Sequence, residues 1–194
     1  MSTQFNTAQL ATLKAAIAAE TDPTFVTARN VGDQTGMANY YKQPHATAKA
    51  WNKAAQWRPI FTVIDGAKYT PSITNVNAAA DATATKQLLT TLVKLTVQQN
   101  MLLAFTGFFD ARDSGNVDSL LDSVTSIYTL SGNSTNSPGG AGGVSVAQQL
   151  VRPALLGELL FGGTDVTKAT TVTAKVLNWE GSITADDIAV ALAS

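Results

Sequence analysis

The sequence predicts a mainly α protein: a helical bundle around one long central helix, with a minor β element near the C-terminus. Three observations predict it. Leu88, Leu92, Leu95, Gln99, Leu102 and Leu103 recur near a helical period between Thr83 and Phe105, and Leu89, Val93 and Met101 widen that face. Residues suited to cap helix N-termini stand before several other apolar-periodic stretches. Only Thr170–Trp179 alternates and is rich in β-branched residues, as a strand requires.

The first helix is expected over Thr7–Ala19. Asn6 or Thr7 is its cap, and Leu10, Leu13 and Ile17 fall at i, i+3 and i+7. Asp22-Pro23 closes it, because the residue before a proline is biased away from helix. Short helices follow around Thr24–Arg29 and Asp33–Lys42, the second placing Met37, Tyr40 and Tyr41 on one side. After the break at Gln43-Pro44, Thr47–Trp57 reads as helix with Trp51 facing inward. The run from Pro59 to Asp65 is too short for periodicity to decide between helix and strand; Pro59 at a first helical position favours helix. Residues 66–82 form a polar connection, and the central helix comes next.

Gly107–Gly115 is expected to turn, and Asn116 to cap a helix through Thr129 with Val117, Leu120, Leu121, Val124 and Ile127 on one stripe. Ser131–Gly143 is low in complexity, has little to bury, and reads as a flexible loop. Val146–Phe161 reads as a helix interrupted at Pro153 and ended by Gly162-Gly163. Thr184-Ala-Asp-Asp187 resembles a capping box with Asp in place of Glu, opening a last short helix over Ile188–Leu192. No internal repeat is seen, so residues 1–194 are expected to form a single helical domain carrying the loop at 131–143.

Composition restricts the chemistry. Of 194 residues, 45% are hydrophobic and only 14% are charged, with a formal net charge of -1. That balance fits a folded chain and argues against a broad electrostatic footprint for nucleic acid or anionic lipid. There is no cysteine, which removes disulfides and thiolate chemistry and suits assembly in a cytosol. No stretch reaches the roughly eighteen apolar residues of a membrane span, and no secretory signal is expected.

The chemically capable residues are few. His45, the one histidine, lacks a second histidine or a cysteine to share a metal with, and reads as an exposed loop residue. Asp110, Asp113, Asp118 and Asp122 crowd around Arg112, but without EF-hand spacing or a bidentate Glu. Asp118 and Asp122 are better read as first-turn residues favoured by the helix dipole. The glycines at 139–143 lack the Lys-Ser or Lys-Thr end of a phosphate-binding loop. Lys42, Lys49, Lys53 and Arg58 read as a solvated helix face. Trp51 and Trp179 read as core; Trp57, before Arg58-Pro59, is balanced between core and interface anchor. No catalytic, cofactor-binding or metal-ligating residue is therefore expected, no cofactor, and no enzyme activity. The candidate subunit interface is Trp57, Arg58, Gly139, Gly140, Gly142 and Gly143.

Several stretches carry a resemblance. They are Leu10-Ala-Thr-Leu-Lys-Ala-Ala-Ile17, Ala50-Trp51-Asn52, Ile60-Phe61 with Ile64-Asp65 and Lys68-Tyr-Thr-Pro71, Gln98-Gln-Asn-Met-Leu102, Asp110-Ala-Arg112, Leu150-Val-Arg-Pro153, Glu158-Leu-Leu-Phe-Gly-Gly-Thr164, Ala174–Gly181 and Ile183–Ile188. In this order they resemble a family of small virion-associated proteins of tailed bacteriophages. The loop at 131–143 and Leu156-Gly157 depart from that pattern. The resemblance implies a structural virion component, foremost a head–tail connector (a neck adaptor) ringed below the portal. A capsid decoration protein or tail component is the near alternative. A carboxylate enzyme using Asp110, Asp113 and Glu158 is the distant one. The implied partners are further copies of the chain in a homo-oligomeric ring, the portal and tail proteins, and packaged DNA in passing, with no membrane. The implied location is the virion, assembled in the host cytoplasm.

Overall fold

The computed structural model describes residues 4–56, 60, 63, 108–130, 144–168 and 172–194. The chain divides into two compact units. One comprises Met1–Ala50, Pro153–Asp165 and Lys175–Ser194; the other comprises Trp51–Arg152 and Val166–Ala174.

The expected mainly α bundle is overturned by a four-stranded sheet. The elements run α1 (Thr7–Ala19), α2 (Pro23–Asn30), α3 (Gln34–Tyr41), β1 (Pro44–Trp51), β2 (Ala55–Gln56), β3 (Phe108–Phe109), α4 (Ser114–Leu130), α5 (Val144–Gln149), β4 (Val151–Leu155), α6 (Leu156–Leu159), β5 (Gly163–Lys168), β6 (Val172–Leu177) and α7 (Ala185–Ala193). Strands β4, β1, β6 and β5 lie side by side in that order, and β2 pairs with β3 in a separate two-stranded ladder. β1 and β6 run parallel with Ala50 opposite Lys175. The expected central helix at 83–105, the connection at 66–82 and the loop at 131–143 lie outside the described residues, as does all of Pro59–Asp65 except Ile60 and Val63.

The first unit is built mostly from helices, and its local signals agree with one another. Asn6 caps α1 through a reciprocal box: its side chain accepts from the Gln9 N–H at 2.9 Å, and its own N–H donates to Gln9 Oε1 at 3.1 Å. At the other end, Arg29 donates to the carbonyls of Ile17, Ala18 and Glu20, groups that a helix terminus leaves without partners. Asp22 and Asp33 cap α2 and α3. Thr184 and Asp187 form the expected box at the start of α7. Leu10, Leu13 and Ile17 of α1 then bury against Phe25, Met37, Tyr41, Ile183 and Ile188. Burying such side chains stabilises by about 1.5–3 kcal/mol each.

The sheet corrects three expectations. Thr47–Trp57 is not a helix: alanines at every second position place Ala48 and Ala50 in one small cluster with Ala154, Leu159 and Leu177. Alanine's helix propensity is overridden by pairing in a strand flanked on both sides. Pro153 does not interrupt a helix; it sits in β4, at the edge of the sheet, where a missing N–H does not break the ladder. α6 ends earlier, at Leu159 with Leu160 as its C-cap; Gly162, with a positive φ of 74°, lies beyond it, and the residues after it form β5, which the sequence did not signal. β5 and β6 are joined by residues 169–171. Thr167 Oγ1 lies 2.7 Å from Thr173 Oγ1, and Lys175 Nζ lies 3.1 Å from Asp165 Oδ2.

In the second unit, Val117, Leu120, Leu121 and Val124 of α4 are buried as their spacing predicts, with Trp51, Ile60, Val146 and Leu150 also buried. The helix begins at Ser114, two residues before the expected cap. Asp113 instead accepts from the Asn116 N–H at 3.2 Å.

Candidate functional site

Among the described residues of the second unit, Asp118, Asp113 and Asp110 act together on Lys168, the last residue of β5. Its side chain is buried, and Nζ donates to the carbonyls of Ala111 at 2.6 Å and Arg112 at 3.0 Å. The same ammonium lies 4.7 Å from the centroid of the Trp51 ring, within reach of a cation–π attraction. Trp51, at the end of β1, is fully buried, and its Nε1 donates to the Val166 carbonyl at 2.9 Å. The segment carrying Ala111 is tied further: the Ala111 N–H donates to the Asn52 carbonyl, and the Asn52 N–H donates to that of Leu150.

Burial pushes the Lys168 pKa below its ordinary value, with Asp118, Asp113 and Asp110 pulling it back up. Asp110 is held below the usual carboxylate range, first by the Arg112 side chain, whose Nε and NH2 reach it at 3.0 and 2.7 Å. An amine in these surroundings holds the turn at Ala111-Arg112.

The first unit uses its acids in the same way. Glu158 is buried; Oε2 accepts from the Leu155 N–H at 2.8 Å, and Oε1 from the Gly181 N–H at 3.3 Å. Asp187 is buried as well, and its Oδ2 accepts from Thr184 N, Thr184 Oγ1 and Gln4 Nε2. His45 belongs to β1 and is half-buried, not a loop residue; its Nδ1 accepts from the N–H groups of Thr47 and Ala48.

The three carboxylates named for an enzymatic site therefore each have a backbone or side-chain task. Asp110 and Asp113 belong to one unit and Glu158 to the other. Asp118 and Asp122 are exposed, and α4 starts too early for them to be first-turn residues; Asp113 takes the place at the helix dipole. Among the described residues no group of three or more His, Asp or Glu gathers as a metal site would need. Lys42, Lys49 and Lys53 are exposed, but Lys49 is in a strand, so they share no helix face. Trp51 is core, as expected, and Trp179 is half-buried. Trp57, Arg58, Gly139, Gly140, Gly142 and Gly143 lie outside the described residues.

Sequence reasoning missed Lys168 and Asp187. Nothing local marks Lys168, because its partners come from residues 51 and 111–112. Asp187 was legible as a cap and not as a receptor for Gln4. Among the described residues no helix is long and apolar enough to cross a membrane. No family model, no curated protein and no solved structure matches this chain.

Proposed function

We propose that this protein is a structural component of a tailed-phage virion that works as a homo-oligomer at the head–tail junction. The observation that carries the reading is how the reactive side chains are employed. Asp110, Asp113, Glu158, Asp187, His45 and Lys168 each hold a stretch of this chain's own backbone. Groups committed in this way are poorly placed to serve as general acids, bases or nucleophiles.

The low charge and the abundance of Thr, Ser, Asn and Gln suit polar, hydrated contacts between subunits. The ordered resemblance from Leu10 to Ile188 supplies the phage context. The assignment to the head–tail junction rests on that resemblance.

Mass measurement of the purified protein, together with its copy number in purified particles, tests the reading. A ring's worth of copies per particle supports a connector. Copies scaling with capsid area point to decoration, and absence from the particle removes the proposal.

A further inference from the structure

We draw no further inference here: the strongest candidate, the side-chain cluster at the end of β5 where Asp110, Asp113 and Asp118 act on the buried Lys168 ammonium, belongs to the site already described, and that ammonium is engaged by the Ala111 and Arg112 carbonyls.

Discussion

The Lys168 ammonium lies 4.7 Å from the centre of the Trp51 ring while it donates to the carbonyls of Ala111 and Arg112. One side chain therefore ties the end of β5 to the end of β1 and to the segment after β3. Lys168→Met keeps the volume but leaves two carbonyls without this donor, and should cost about 1–3 kcal/mol by urea unfolding. The pH dependence has a definite sign. Burial lowers the folded-state pKa below 10.5, so just under that pH the unfolded chain binds the proton more tightly than the folded one. The stability advantage of wild type over Lys168→Met should grow as pH rises through this window. A difference that shrinks there would contradict the burial described.

Tyr41 is fully packed in the first unit, and its hydroxyl is buried with no hydrogen-bond partner among the described residues. Burial first, and then Glu20, raise its pKa far above the ordinary 10.0. Tyr41→Phe removes an unsatisfied polar group and should leave stability unchanged or raise it by up to about 1 kcal/mol at neutral pH. Above pH 10.0 the unfolded tyrosine ionises while the folded one does not, so stability is lost as pH climbs. That alkaline loss should be shallower in Tyr41→Phe, followed by thermal melts at stepped pH.

Glu158 joins the Leu155 and Gly181 N–H groups through its two carboxylate oxygens. Glu158→Gln replaces one acceptor by a donor that faces an N–H. The expected loss is about 1–3 kcal/mol, measured by chemical denaturation. A neutral result would mean that the acid is not the tie between α6 and the segment after β6.

Gly163 faces the backbone of β6 closely: an added Cβ would lie 2.7 Å from the Val176 carbonyl oxygen and 3.0 Å from Leu177 Cα. Backbone cannot swing aside as a side-chain tip can. Gly163→Ala should lower stability by about 1–3 kcal/mol, and the thermal midpoint reads it directly.

Much of the helical framework was legible because its signals are local. Asn6 with Leu10, Leu13 and Ile17 placed α1 to the residue, and Thr184 with Asp187 placed the start of α7. The sheet was less legible, because its strands take their identity from distant partners. The alanines of β1 look helical until Ala154 and Leu177 pack beside them. Pro153 looks like a helix break until β4 proves to be an edge. The ties made by Lys168 and by Gln4 with Asp187 were invisible for the same reason, since each joins residues far apart in the chain.

The core of the first unit brings Leu13 and Ile17 together with Ile183 and Ile188. During synthesis the early helices therefore leave the ribosome without the residues that cover them, and wait on the order of ten seconds for the last stretch. Until then their apolar faces are open to aggregation and to chaperones, so the yield of folded protein should depend on how quickly translation finishes.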